Sequence, residues 1–281
     1  MSYQASILKP SFFLMLGDNF YEDGVVSTSD PLWALYYRDL FTEPATFVPW
    51  YLILGNHDYY GKHTQFAQIE YSMKRIDTRW NMPDYFYTKV FPIGNSDATV
   101  EVVFIDTVIL APNHENPSLT GLPAGNPDGT TSDAQLMMMQ PWLVWFENTL
   151  AASKATFLIV AGHYHVYTTT DGDNAVPEMV EFVVPLLKKY GVAAYIHGHE
   201  HNAEHIYWEG IHYVTLGHGC DKQDPIDVNW RDKVAAGGLL FNKTVGSFGV
   251  MTVTPTKLSF EIIDESGDNI YGATLKTMME I

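Results

Sequence analysis

The chain has 281 residues, 46% of them apolar and 17% charged, which excludes an intrinsically disordered protein and allows one large domain or two small ones. Its 16 basic and 33 acidic residues give a net charge of −17, which argues against a nucleic-acid partner because phosphate backbones are bound by basic surfaces. A single cysteine excludes an internal disulfide and a thiolate metal site, and no apolar run is long enough to predict a membrane span.

Strand and helix patterns alternate along the first two thirds of the chain, which indicates an α/β fold. Apolar runs predict buried strands at Phe12–Leu16, Tyr51–Leu54, Val100–Ile105, Thr156–Val160 and Ala193–Ile196. Helical spacing predicts helices at Pro31–Phe41, Thr64–Arg75, Asp133–Ala152 and Pro177–Tyr190. From about Glu204 onward strand follows strand, and Ser266–Asn269 predicts a hairpin turn. No linker or repeat divides the chain, so we expect one domain over residues 1–281.

One long loop is predicted between the third strand and the third helix. Residues 107–132 contain four prolines and three glycines, which disfavour regular secondary structure. A connection of this length is either a functional lid or a surface insertion without a role, and both interpretations stay open here.

Polar clusters follow four of the predicted strands, at the point where each strand ends. They are Gly17-Asp18-Asn19-Phe20-Tyr21, Gly55-Asn56-His57-Asp58, Ala161-Gly162-His163-Tyr164-His165 and His197-Gly198-His199-Glu200-His201. Ligand sites of α/β sheets lie at the carboxyl ends of strands, so the four clusters are expected to converge. Any one of them could be an ordinary turn, but together they offer the oxygen and imidazole ligands that transition metals prefer.

The motifs GDNFY, GNHD, AGHY and GHEH, in this order, resemble four of the five ligand blocks of the purple acid phosphatases, which are calcineurin-like metallophosphoesterases. The segments VPWYLILGNHDYYG, RWNMPDYFY, FIDTVIL and YGVAAYIHGHEHN are similar to the small, tartrate-resistant type. The resemblance implies a four-layer α/β/β/α sandwich of two mixed sheets. It also implies a dinuclear metal centre that hydrolyses phosphate monoesters, on small molecules or on proteins.

By this resemblance, six side chains would bind the two metal ions: Asp18, Tyr21, Asn56, His163, His199 and His201. Asp18 would bridge the ions, Tyr21 and His201 would bind the first, an Fe(III), and the other three would bind Fe(II), Zn(II) or Mn(II). A phenolate suits Fe(III), whereas an amide and two imidazoles suit a divalent ion. The metal pair would also supply the positive charge that an anionic substrate needs from this acidic chain.

The resemblance implies a catalytic role for His57, near the leaving oxygen as an electrophile or general acid. The alternative is a histidine that supports the ligands and transfers no proton. Asn19, His165 and His218 are candidates for the substrate pocket. His165 stands where the subfamily has proline, and a surface histidine is the alternative for it. We assign no role to His63, His114, His205 and His212.

The fifth ligand block, an Asp-x-Gly that should precede Asp18, is missing, because residues 1–17 contain no Asp, Glu, His or Cys. Either the chain is an N-terminally truncated form that lacks the first strand, or it is a family member that has lost one ligand. Glu22 or Asp23 could replace that ligand, although solvated loop charges are the alternative. We expect an unpaired edge at Phe12–Leu16, a weak first metal site and low activity.

Two other functions compete with monoester hydrolysis. A non-catalytic relative could keep the fold as a binding or scaffold module, which the missing block favours and the six retained ligands oppose. A phosphodiesterase is the second alternative, but the Tyr21 ligand favours the purple acid type. The resemblance implies a secreted, lysosomal or vacuolar protein, yet Met1–Pro10 shows no secretory signal, so the compartment is not predicted.

Overall fold

The computed structural model describes residues 2–114, 124–126, 129–170, 174–216, 219, 223–232 and 236–277. Its helices are α1 (Ser2–Leu8), α2 (His57–Tyr60), α3 (Thr64–Met73), α4 (Thr107–Leu110), α5 (Asp133–Ala152) and α6 (Val184–Lys189). Its strands before α6 are β1 (Phe13–Leu16), β2 (Trp50–Ile53), β3 (Trp80–Asn81), β4 (Tyr87–Pro92), β5 (Thr99–Phe104) and β6 (Phe157–Ala161). The later strands are β7 (Ala194–His197), β8 (Ala203–Trp208), β9 (Ile211–Leu216), β10 (Leu239–Lys243), β11 (Ser247–Thr254), β12 (Lys257–Asp264) and β13 (Asn269–Thr277).

A seven-stranded mixed sheet forms the centre of the fold, in the order β10-β8-β9-β7-β6-β5-β4. Strands β5, β6, β7 and β9 are parallel to one another, and the remaining pairings are antiparallel. Every residue of β6 and β7 is buried, as expected for parallel strands covered on both faces. The predicted mixed α/β class is therefore confirmed.

The strands outside this sheet form two three-stranded sheets rather than one second sheet. One is parallel, in the order β1-β2-β3, and the other is the antiparallel meander β11-β12-β13. Strand β1 lies at the edge of its sheet, and its four residues are half-buried rather than buried as predicted. The difference arises because β1 pairs on one edge alone within the described ranges.

Helices α3 and α5 agree with the predicted helices, whereas the predicted Pro31–Phe41 forms the π-helix Ala34–Arg38. The predicted Pro177–Tyr190 is divided into the π-helix Met179–Val183 and α6, and the predicted long loop also needs correction. Helix α5 has the predicted bounds, and Ser132 and Gln135 form a capping box at its start. The segment after β5 begins with helix α4 instead of loop, because the Asp106 carboxylate accepts hydrogen bonds from Val108 N and Ile109 N. The described helices include none that is both long and apolar enough to cross a membrane.

Candidate metal centre

The four predicted clusters meet where the carboxyl ends of β1 and β2 face those of β6 and β7. The carbonyl of Leu16, the last residue of β1, lies 2.7 Å from Nδ1 of His163, just beyond β6. Glycine is required at this junction, because a Cβ on Gly55 would collide with the backbone and carboxylate of Asp18. Asp18 and His199 adopt left-handed backbone angles, with φ of 52° and 67°, which is uncommon for residues with a side chain.

The buried carboxylate of Asp58 connects the loop after β1 with the loop after β2 through hydrogen bonds. It accepts hydrogen bonds from Gly55 N at 2.9 Å, Asn19 N at 3.0 Å and Gln68 Nε2 at 2.6 Å. Burial raises the pKa of Asp58 to about 6, although these donors act in the opposite direction. The sequence alone assigns no role to Asp58, since its place in a Gly-Asn-His-Asp turn does not show which amides it binds.

Asp18, Tyr21 and His201 form the first group of candidate ligands. The Tyr21 hydroxyl donates to Asp18 Oδ2 at 3.0 Å and lies 3.2 Å from His201 Nε2. On the other side of His201, its backbone N donates to Asp224 Oδ2 at 3.0 Å, and its Nδ1 lies 3.5 Å from the same oxygen. The sequence pattern does not indicate Asp224, because this residue lies 23 positions beyond the GHEH motif.

Asn56, His163 and His199 form the second group, and Asp18 touches it as well. Oδ1 of Asn56 lies 2.9 Å from His163 Nε2 and 3.2 Å from His199 Nδ1. His163 Nε2 is also 3.3 Å from Asp18 Oδ1, and the ligand atoms of Asp18, His163 and His199 all lie within 4.8 Å of one another.

The electrostatics suit a cation between these groups. Burial by itself would raise the pKa of the Asp18 carboxyl, but the neighbouring His163 lowers it to about 2, so the carboxylate is ionised. Asp18 directs Oδ2 to the first group and Oδ1 to the second, which is what a ligand shared by two ions requires. The donor set of carboxylate, phenol, amide and three imidazoles therefore fits a pair of transition-metal ions.

His57 lies beside both groups. Its backbone N donates to Asp18 Oδ1 at 3.0 Å, and its Nδ1 donates to the Glu22 carbonyl at 2.7 Å. A carbonyl oxygen accepts only, so the proton is on Nδ1 and Nε2 is the nitrogen that can exchange a proton with a substrate. The Tyr21 ring packs 4.4 Å from the His57 ring, centroid to centroid, which fixes the orientation of the imidazole.

The predicted pocket residues are placed differently from expectation. Asn19 faces the interior, because its Nδ2 donates to the Ile53 carbonyl at 2.8 Å and to Gln68 at 3.0 Å. His165 is buried rather than on the surface, and its Nδ1 lies 3.1 Å from Glu200 Oε1. His218 lies outside the described residues.

Other residues near the site match or depart from their expected places. Glu22 and Asp23 are exposed, as solvated loop charges would be. Two side chains without an assigned role touch the second group: the Tyr60 hydroxyl accepts from Asn56 Nδ2 at 2.7 Å, and His114 Nε2 lies 3.4 Å from His199 Nε2.

Comparisons with known proteins identify the family of this chain. The model of the calcineurin-like phosphoesterase family matches residues 3–203. Tartrate-resistant acid phosphatase type 5 of Oryctolagus cuniculus is 34% identical over 275 residues, which cover 96% of this chain and 80% of the relative. Purple acid phosphatase 4 of Arabidopsis thaliana is 27% identical over 96% of this chain and 75% of its own length.

Solved structures show the same fold at lower identity. GAP50, the anchor in the inner membrane complex of Plasmodium, superposes with a TM-score of 0.73 at 23% identity, over 98% of this chain and 82% of that one. A purple acid phosphatase from yellow lupin gives 0.66 at 17% identity, over 97% of this chain and 48% of that one. This chain therefore belongs to the purple acid phosphatases of the calcineurin-like phosphoesterase family, as its sequence relatives and its converging motifs together show.

Proposed function

We propose that this chain hydrolyses phosphate monoesters, of small molecules or of proteins, at a dinuclear metal centre. The observation that carries the proposal is the convergence of six donor side chains into two groups that share Asp18. The curated relatives named as acid phosphatases support the same reaction.

The donor chemistry assigns a different ion to each group. Tyr21 offers a phenolate, so the group of Tyr21 and His201 would hold Fe(III), and the group of Asn56, His163 and His199 would hold Fe(II), Zn(II) or Mn(II). When bound, the two ions neutralise the phosphate, activate water and stabilise the attacking and leaving oxygens.

The residues of the chain then have separate tasks. The ionised Asp18 balances the positive charge between the two groups and is itself fixed by the backbone N of His57. His57 donates from Nδ1 to the Glu22 carbonyl, so the second proton of its imidazolium form, on Nε2, is the one that can transfer to the leaving alkoxide or phenoxide oxygen. That proton makes an alcohol of the leaving group, which is needed most when the alcohol is a weak acid.

Activity and metal content together test the proposal. The chain is loaded with iron and zinc, and hydrolysis of p-nitrophenyl phosphate is compared with that of bis(p-nitrophenyl) phosphate at acid pH. We expect monoester hydrolysis to exceed diester hydrolysis, and His199→Ala to abolish it. A loaded protein that hydrolyses neither ester would favour the scaffold alternative, and a preference for the diester would favour the phosphodiesterase.

Colour tests the ferric site independently of turnover. A Tyr21 phenolate on Fe(III) gives a broad visible charge-transfer band, so Tyr21→Phe should remove the band while iron stays bound. An iron-loaded chain without that band would contradict the assignment of Tyr21 as a ligand.

A further inference from the structure

Two side chains hold the second group of ligands from the side opposite the metal position. Tyr60 receives a hydrogen bond from the amide nitrogen of Asn56, and His114 faces the outer nitrogen of His199. We propose that Tyr60 and His114 are positioning residues that orient Asn56 and His199 toward the divalent ion. The inference rests on the proposed function, since it takes these two residues as metal ligands.

The contact with Tyr60 decides which end of the Asn56 amide faces the metal. An amide oxygen can bind a cation, whereas an amide NH₂ group carries only donors and cannot. In the structure Oδ1 faces His163 and His199, while Nδ2 donates to the Tyr60 hydroxyl at 2.7 Å. Tyr60 follows Asn56 by four positions across the single turn of α2, so the two side chains lie on the same helical face.

The contact with His114 decides, in the same way, which nitrogen of His199 faces the metal. Nδ1 of His199 points to Asn56 Oδ1, so Nδ1 is the metal-facing nitrogen and Nε2 carries the proton of the ligating imidazole. His114 Nε2, at 3.4 Å, is placed to accept that proton in a hydrogen bond. The ring of His114 is fixed by an edge contact with Tyr164, at 4.6 Å between centroids, and its backbone N donates to the Ala111 carbonyl.

His163, the third ligand of this group, shows the same arrangement with a backbone partner. Its Nε2 faces Asn56 and Asp18, and its Nδ1 donates to the Leu16 carbonyl at 2.7 Å. All three ligands therefore have their metal-facing atom set by a contact on the opposite atom. Such outer partners orient metal ligands and raise their basicity, and their loss weakens metal binding about 10–100-fold.

The test measures zinc affinity rather than turnover. Tyr60→Phe removes one hydroxyl, and His114→Leu removes the acceptor nitrogen without adding bulk. Zn(II) affinity of the metal-free chain is measured by competition with a chromogenic chelator, and we expect each variant to bind about 10–100-fold more weakly. His114→Gln, which offers an amide oxygen as acceptor, should recover part of the loss. Tyr36→Phe is the matched control, because Tyr36 and Tyr60 are both 38% exposed and Tyr36 packs near Phe20 instead of a ligand.

A spectroscopic readout separates positioning from general stability. The d–d bands of Co(II) in the second group depend on ligand orientation, so Tyr60→Phe and His114→Leu should shift them, whereas Tyr36→Phe should not. If both variants bind zinc and cobalt like the wild type while Asn56→Ala and His199→Ala lose the ion, the positioning roles are wrong and the proposed centre stands. If Asn56→Ala and His199→Ala also bind like the wild type, the proposed centre itself fails, and the positioning roles fail with it.

Discussion

At the residue scale, His57 is the side chain whose chemistry the site constrains most. Its backbone N is bound to Asp18, and its Nδ1 is bound to the Glu22 carbonyl, which leaves Nε2 for the substrate. We expect His57→Ala to lower kcat by about two orders of magnitude for an alkyl phosphate, whose alkoxide needs a proton to leave. The loss should be smaller for p-nitrophenyl phosphate, because p-nitrophenolate leaves without one.

Metal content, measured by elemental analysis, is the control for this substitution, since His57 is not among the six candidate ligands. An equal loss of kcat with both esters would assign His57 to orientation or electrostatics instead of proton transfer. An unchanged kcat with the alkyl phosphate would remove it from the catalytic residues altogether.

The candidate ligands could be proposed from the sequence, but the side chains that contact them could not. Asp18, Asn56 and His163 each stand in a short motif at a strand end, where spacing and residue type already indicate a metal. Tyr60 and His114 stand in no such motif, and their roles depend on which atom of a ligand they touch. That information is in the three-dimensional packing of loops from different sheets, which neither composition nor periodicity encodes.

At the scale of elements, the strands that flank the site were predicted to within one residue, because each coincides with a continuous run of apolar residues. Helix α4 was missed, because its four residues depend on the cap by Asp106 rather than on periodicity. Strand β1 is half-buried rather than buried, but among the described strands it lies at the edge of its sheet, as expected for Phe12–Leu16.

The central sheet and the C-terminal meander meet through a chain of neutral polar side chains. Tyr271 on β13 donates its hydroxyl to Nδ1 of His205 on β8, at 2.9 Å, and His205 Nε2 lies 2.9 Å from Nδ1 of His212 on β9. Burial lowers the pKa of His205 to about 3, with a further contribution from His212, and burial lowers the pKa of His212 to about 4. Both imidazoles are therefore neutral in the folded protein at mildly acid pH.

This junction predicts a loss of stability in acid. Below pH 6.5, the ordinary histidine pKa, His205 and His212 bind protons in the unfolded chain but stay neutral in the folded one. The free energy of unfolding therefore falls as the pH drops toward 4. The expected loss by pH 5 is about 2 kcal/mol for the buried His205 and less for the partly exposed His212, where solvent screens the effect. Urea unfolding at pH 7.5 and pH 5 measures it.

Two variants assign that loss to the junction. His212→Gln keeps a hydrogen-bonding group but cannot be protonated, so the difference in unfolding free energy between the two pH values should shrink. His63→Asn is the control, because His63 is exposed, and asparagine tolerates its left-handed backbone with φ of 64°. A difference between pH 7.5 and pH 5 that is the same in His212→Gln as in the wild type would show that other groups cause the acid sensitivity.

At the scale of the whole molecule, the candidate centre exists only when two sheets are assembled. Asp18 and Asn56 follow strands of the parallel three-stranded sheet, whereas His163 and His199 follow strands of the central sheet. The ligand set is therefore a product of the complete fold, and metal binding to it stabilises that fold by mass action. With a net charge of −17, the molecule would also gain from the positive charge of ions bound at this candidate centre.

The two groups differ in donors, and this difference predicts an order of metal binding to the 281-residue chain. Beside the shared Asp18, the second group offers Asn56, His163 and His199, whereas the first offers Tyr21 and His201. We expect the first equivalent of Zn(II) to bind to the second group, so His199→Ala should lose it and His201→Ala should retain it. Phosphate-ester hydrolysis should appear only as a second ion binds. If the 281-residue chain already binds two ions with equal affinity, or if His201→Ala loses the first equivalent, the order inferred from the donors is wrong.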